Sequence, residues 1–396
     1  MKVHYVCPFA QKHGVARAAH DYCMALLEAG VEVEIYPMFE CDTANLEPQY
    51  ARLADCLPAT EGAADRPDVS IVHAMPSDID SVLPPGNCER EPYVAVTTWE
   101  TSRLPLQFAN LFDEKFSMVL VPSHYTARAF QAMECMVEVQ VLPHAIGPAW
   151  RTGREWNSDE GSAYVFYTIG AWNERKNPLG LLRAYLTEFQ PDENVSLYLK
   201  TDKVDEEAVA GLRRGTNLHD FPNVYVGSDW LSEPGMIHLH QRMDCYVTAT
   251  RGEGFGLGAF EACALGNPVI APAEGGQATF LSNYSGDKGL VGSFQTPAIW
   301  NPIGGEKTFH IGGLNIPVRT VTQTAPVGMD GTQHWLEPDL AALQDRMRYM
   351  YETRRGRDPD DNVWGALRVS RARKEFFDRY SYAEIGARFR GLLESL

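Results

Sequence analysis

Short apolar runs separated by helical or loop-forming stretches recur along this chain, and they fall into two series. The first opens with VHYVC at 3–7, then a turn ending near Gly14, a predicted helix over 15–29 stopped by Gly30, and VEVEIY from Val31. It continues with VSIVHA (69–74), YVAVTT (93–98), MVLVPS (118–123) and VQVLPH (139–144). A second series comprises YVFYTIG (164–170), SLYLK (196–200), VYVG (224–227), DCYVTAT (244–250) and PVIA (268–271), each followed by a plausible helix. Near-continuous apolar strands alternating with helices imply parallel sheets covered on both faces. No sequence repeat links the two series, so any symmetry between them is architectural.

Between the series, GPAWRTGREWNSDEGS is polar and rich in Gly, Trp and Arg, and residues 144–164 read as an interdomain linker. From 292 to 335 the chain is rich in Gly, Pro and Thr with alternating apolar positions, which predicts an ordered loop containing a hairpin. A helix resumes near Pro338, and an amphipathic helix runs from about Arg371.

A length of 396 residues fits two domains of roughly 150 to 200 residues each. Hydrophobic residues at 44% and charged residues at 22% exclude wholesale disorder. The formal charge of −17 is concentrated early, with 9 Lys and Arg against 20 Asp and Glu in residues 1–150. Such a surface repels phosphate polyanions and anionic lipids, which disfavours a nucleic-acid partner without excluding a local basic groove. The eight cysteines (Cys7, Cys23, Cys41, Cys56, Cys88, Cys135, Cys245 and Cys263) are dispersed, as reduced and mostly buried thiols are. No run of about 18 apolar residues is present, and the chain begins on an apparent strand, so a cytoplasmic protein without a transmembrane segment is expected.

The stretch carrying most chemistry is TRGEGFGLGAFEACALGNPVIA, 250–271. It follows a buried strand, has glycines at 252, 254, 256 and 258, and becomes a helix by about Ala259. In a parallel sheet this sets a glycine loop and a helix amino end at the carboxyl edge of the strands, where an anion is favoured. Glu253 and Glu261 lie within this phosphate-friendly setting. Carboxylates there suggest a ligand with hydroxyls as well as phosphate, although a glycine turn with a capping Glu is the structural alternative.

That stretch resembles the E-x7-E signature of retaining glycosyltransferases of the GT-B fold, the glycogen synthase and phosphatidylinositol mannosyltransferase type. The trailing E-A-x-A-x-G-x-P-V-I-A and the pair Gly275 and Gly276 extend the match. GAWNERKNPLGLLRAY (170–185) is similar to the family's segment carrying its diphosphate-binding cations, here Arg175 and Lys176, although Ala171 stands where many relatives have Arg. VTTWETSRLP (96–105), VPSHYTARAF (121–130) and VLPHAIG (141–147) resemble first-lobe segments of the same family, with Trp99 and Glu100 where several relatives place a His.

The resemblance implies two Rossmann-like domains facing a central cleft. An acceptor domain would span 1–148 with a returning helix at 378–396, and a donor domain 149–377. It implies transfer of a hexose or similar sugar from a nucleotide sugar to a hydroxyl acceptor, with retention and with no metal or other cofactor. Arg175 and Lys176 would hold the diphosphate and Glu261 the ribose. Glu253 would orient the sugar together with Phe255, Gly256, Leu257 and Gly258, while Gly14, Gly275 and Gly276 would also contact the donor.

Glu100 would contact the sugar or the acceptor, and the turn at 227–233 would lie near the base. His73 and His144, at strand ends, read either as structural residues or as contacts. Asp78–Asp80 formally matches the metal-binding D-x-D of another transferase fold, a match too short to invoke a metal. The alternatives are a sugar-nucleotide epimerase or hydrolase, a transferase acting on modified DNA, and a silent carbohydrate-binding protein. Acceptor, base, sugar and oligomeric state are left open.

Overall fold

The structure is a computed structural model and describes residues 1–9, 11–58, 66–82, 92–155, 161–215, 222–281, 313–316, 318–322, 332–353 and 366–396. The first lobe runs β1 (Lys2–Cys7), α1 (Gly14–Glu28), β2 (Glu32–Pro37), β3 (Val69–His73), α2 (Pro76–Val82), β4 (Tyr93–Val96), α3 (Leu106–Lys115), β5 (Met118–Val121), α4 (His124–Gln131) and β6 (Glu138–Val141). Its six strands form one parallel sheet in the order β2-β1-β3-β4-β5-β6. Strands β3, β4 and β5 are buried at every position, as strands covered on both faces must be.

The second lobe runs β7 (Tyr164–Ile169), α5 (Pro178–Glu188), β8 (Val195–Lys200), α6 (Glu206–Gly215), β9 (Asn223–Gly227), α7 (Glu233–Arg242), β10 (Cys245–Val247), α8 (Leu257–Leu265), β11 (Val269–Pro272), α9 (Ala278–Leu281) and β12 (Gly313–Ile316). These strands form a second parallel sheet, β12-β11-β10-β7-β8-β9. Most of 292–335 lies outside the described residues, as does Cys88, while the other seven cysteines are free. Within that stretch β12 joins the second sheet as a parallel edge strand, which the expectation of a loop did not contain. An antiparallel pair is present between β13 (Val318–Thr322) and β14 (His334–Pro338).

Residues 144–164 differ from a solvated linker in burying Ala145, Ile146, Trp150 and Arg154. Trp150 is fully buried, and its indole N–H donates to Glu233 at 3.1 Å. Residues 156–160 of this stretch lie outside the described residues.

After α10 (Leu340–Glu352), the helices α11 (Ala366–Tyr380) and α12 (Tyr382–Glu394) tie the lobes together. Helix α11 lies on α8, where Phe376 meets Phe260 and Arg373 donates to the Ala264 carbonyl at 2.7 Å. Helix α8 is apolar on nearly every side because it is covered on every side, by α11, α7 and its own sheet. Helix α12 returns to the first lobe and packs on α1, burying Ile385, Phe389 and Leu393. Its Arg390 donates to the Ala29 carbonyl at the end of α1.

Gly386 is what lets α12 seat so closely, because a Cβ there would run into the Ala25 carbonyl of α1. We expect Gly386→Leu to cost about 3 kcal/mol, the upper end of overpacking penalties, since the obstacle is backbone. Gly391→Ala, on the same helix with open space around it, should instead gain up to about 1 kcal/mol from helix propensity. Urea denaturation of both variants checks the contrast.

Candidate active site

The carboxyl ends of the two sheets face each other across a cavity of about 730 Å³. It is lined by the loops after β1, β2, β3, β4, β5 and β6 on one side and after β7, β9 and β10 on the other, with Lys200 at the end of β8. Loops at these ends are where open α/β sheets bind ligands, and the volume lies within the usual range for small-molecule sites.

On the second lobe, two loops build one wall and brace each other. Asn177 adopts a left-handed backbone (φ 53°) and caps α5, accepting from Gly180 N at 3.1 Å, with Pro178 at the first helical position. Its side-chain amide donates to the Ala249 carbonyl at 3.0 Å, and Arg251 N donates to the Arg175 carbonyl at 2.7 Å. The glycine loop that follows β10 enters α8 through Gly256 at φ 93°, so the amino end of α8 faces the cavity. Gly254 sits hard against Thr98 of the first lobe, where a side chain would leave no room for the hydroxyl.

Four of the expected residues meet on this wall. Glu253 accepts from Lys176 Nζ at 2.5 Å and lies 3.6 Å from Arg175. Arg175 also reaches Glu100 at 3.0 Å and donates to the Gly252 carbonyl at 2.6 Å. Burial alone would raise the Glu253 carboxyl, yet Lys176 and then Arg175 outweigh it and hold it below the usual carboxylate range. Glu100 moves the other way, raised chiefly by burial, with Arg175 opposing and Glu253 adding to the rise. Ala171 also lines the cavity, so the guanidinium at this wall is that of Arg175.

Glu261 lies farther along and is engaged differently. One oxygen pairs with Arg17 of α1 at 2.6 Å, and the other accepts from His240 Nε2 at 3.2 Å. Burial raises its carboxyl less than Arg17 and His240 lower it, so it stays ionised. His240 is oriented in turn by Tyr167, whose hydroxyl lies 2.7 Å from Nδ1. Arg17 also approaches Glu233 at 3.6 Å and lies over the Trp150 ring. One first-lobe guanidinium therefore bridges two second-lobe carboxylates.

Gly14, Phe255, Gly256, Leu257 and Gly258 line the cavity as well, and a Cβ at Gly14 would press on the Leu257 side chain. Gly275 and Gly276 do not line it. They back the glycine loop, with Gly276 N donating to the Glu253 carbonyl at 2.7 Å. The 227–233 turn brings Trp230 to the cavity, with Lys12 of the first lobe 4.6 Å over its ring. Asp78 lies on the cavity side of α2, and among the described residues no group of three His, Cys, Asp or Glu is arranged to hold a metal.

Arg17, His240, Lys12 and Trp230 were absent from the expected site. For Arg17 a signal existed: Arg17, His20 and Asp21 make a polar stripe on one face of an otherwise apolar helix. Asp21 is buried, accepts from the hydroxyls of Tyr50 (2.8 Å) and Tyr382 (2.6 Å), and is pushed up to about 7 by burial, against the opposing pull of Arg17.

Residues 154–298 match the family described as glycosyl transferases group 1. No curated protein sequence matches the chain. HepE from Anabaena, solved in complex with UDP and glucose, has a TM-score of 0.62 over 100% of both chains at 13% identity. Sucrose-phosphate synthase from Thermosynechococcus elongatus has a TM-score of 0.62 over 100% of this chain and 98% of its own, at 14% identity. A glycosyltransferase from Rickettsia africae has 0.61 over 100% and 98%, at 11% identity. At this level of identity the likeness establishes the two-lobed GT-B fold.

Removing Arg17 strands two buried carboxylates, so Arg17→Ala should lose about 3 to 5 kcal/mol of stability, measured by denaturant unfolding. Asp21 gives a pH signature. Its folded pKa lies above the unfolded value of about 3.9, so its contribution to stability is complete below that value and is lost as pH rises toward 7. Asp21→Asn should therefore gain on the wild type steadily between about pH 4 and 7 and hold a constant difference above that. A difference independent of pH would contradict this assignment.

Proposed function

We propose, from a chain whose residues 154–298 match the glycosyl transferases group 1 family, that the cleft moves a hexose or similar sugar from a nucleoside diphosphate to a hydroxyl acceptor. The observation that carries this reading is the convergence of Glu253, Glu100, Arg175 and Lys176 on one interlobe cavity. Two cations beside a helix amino end suit a diphosphate. Two carboxylates beside them suit hydroxyls.

In this reading Arg175 and Lys176 exchange their carboxylate partners for the diphosphate, whose negative charge grows as the anomeric C–O bond breaks. Fixed cations in a water-poor cleft stabilise that charge without a metal. Glu253 and the amino end of α8 orient the sugar. Glu261 keeps free lone pairs on both oxygens after accepting from Arg17 and His240, and it receives the ribose hydroxyls.

The acceptor oxygen forms the new bond to the anomeric carbon on the face the diphosphate leaves, and its proton passes to the departing phosphate oxygen. The E-x7-E resemblance supports that retaining course. Glu100, whose carboxyl is raised by burial, lies on the first-lobe side of the same cluster and contacts the sugar or the acceptor.

A thermal-shift series with UDP, GDP and ADP and their sugars identifies the donor, because a ligand of the folded state stabilises it by mass action. With that donor, Glu253→Gln and Lys176→Ala should each lower transfer by about 10² to 10³, and Lys176→Ala should also weaken binding of the nucleotide alone. Full transfer by either variant overturns the assigned roles. Conversion of the donor sugar into an epimer without any acceptor would point to an epimerase instead.

A further inference from the structure

Glu261 is held from both lobes: Arg17 reaches Oε1 from the first, and His240 meets Oε2 from within the second. Arg17 brings charge. What His240 brings depends on where its ring carries the proton, and the residues behind the ring decide that.

His240, on α7, is fully buried, with the rings of Trp150, Tyr167 and Tyr246 around it. Its Nδ1 lies 2.7 Å from the Tyr167 hydroxyl and its Nε2 lies 3.2 Å from Glu261. Asn267, in the turn between α8 and β11, is buried beside them. Its side-chain nitrogen donates to the His240 backbone carbonyl at 2.6 Å, and a carbonyl only accepts, so the amide orientation is settled.

The same amide nitrogen donates to the Tyr167 oxygen at 2.7 Å. The hydroxyl therefore receives one hydrogen from Asn267 and directs its own at His240 Nδ1. A nitrogen that accepts carries no proton, so the proton of the neutral ring sits on Nε2 and points at Glu261. Burial, the largest influence on the ring, lowers its pKa against the pull of Glu261, which keeps it uncharged at neutral pH. Asn267, Tyr167, His240 and Glu261 form a chain of donors with one direction, all within the second lobe.

A carboxylate free to pivot presents its lone pairs in many directions, whereas one pinned at both oxygens presents the remaining pairs in few. We propose that His240 is a positioning residue for Glu261: the Asn267–Tyr167–His240 chain aims one N–H at Oε2 and so turns the carboxylate to the angle at which it takes the ribose hydroxyls. The inference rests on the transferase reading, in which Glu261 receives the ribose, and adds to it how that residue is aimed.

Two measurements test it. Heteronuclear NMR of the histidine ring nitrogens reads the tautomer, and the proton of His240 is expected on Nε2. Calorimetry compares Kd for UDP with Kd for its dideoxyribose analogue, which lacks both ribose hydroxyls, with the GDP and ADP pairs next. The wild type should favour the hydroxylated nucleotide. His240→Phe, which keeps the ring packing, should bind that nucleotide about tenfold more weakly and the dideoxy analogue as before. His240→Gln, whose amide can donate toward Glu261, should recover part of the loss, and Tyr167→Phe, which releases the far side of the ring, should show a smaller loss of the same preference.

A merely structural role would weaken both ligands alike, and that result overturns the proposal. So does a proton found on Nδ1, or an unchanged preference in Tyr167→Phe, which reads the chain independently if His240→Phe fails to fold. A wild type that binds both members of a pair equally well sinks the ribose role of Glu261 and this proposal with it, yet spares the diphosphate site. One that binds none of the three diphosphates sinks the transferase reading too.

Discussion

A carboxylate shut away from water must be paired, and Glu253 is the residue from which most of the cleft follows. It is 9% exposed at the meeting of two lobes, and its charge persists only because Lys176 and Arg175 stand beside it. Placing those cations requires the left-handed Asn177 cap and the backbone link between Arg175 and Arg251. Bringing the first lobe close enough to add Glu100 requires a loop without side chains, hence glycine at 254 against Thr98. The glycine loop thus serves the contact between the lobes.

A second buried pairing works at the other end of the cavity. Arg17 comes from the first lobe, and both of its carboxylate partners come from the second. Its neighbour one helical turn on, Asp21, takes a hydroxyl from Tyr382 at the start of α12. Glu261, the junction at Trp150 and the returning C-terminal helix therefore share one polar network. Such networks favour one arrangement of the parts over alternatives, since a partial one leaves charges unpaired.

The legibility of all this in the sequence was uneven for physical reasons. Strands such as β3, β4 and β5 are continuous apolar runs because both faces are covered, so they stand out in one dimension. The glycine loop stands out because close backbone approach admits no other residue. By contrast Gly313–Ile316 (GLNI) lacks β-branched density, and its place beside β11 comes from the neighbouring strand. Arg17 and His240 were missed because a buried charge is defined by its partner. Theirs, Glu261, lies 244 residues away from Arg17 and 21 from His240. Gly275 and Gly276, a conspicuous pair near the loop, are not among the residues lining the cavity, and Gly276 braces the loop through the Glu253 carbonyl.

The cavity is uneven in charge. Lys176 and Arg175 stand on the second-lobe wall with Glu253, whereas the first-lobe residues that meet Gly254 and Phe255, namely Thr98 and His144, are uncharged. The first lobe carries 20 acidic against 9 basic residues in the first 150 positions. Long-range repulsion from that surface weighs against polyanionic acceptors, while a neutral hydroxyl compound meets no such barrier. Cations line both sides of the cleft, Lys176 and Arg175 from the second lobe and Lys12 and Arg17 from the first, so the acidic excess of the first 150 residues is offset locally where the cavity lies.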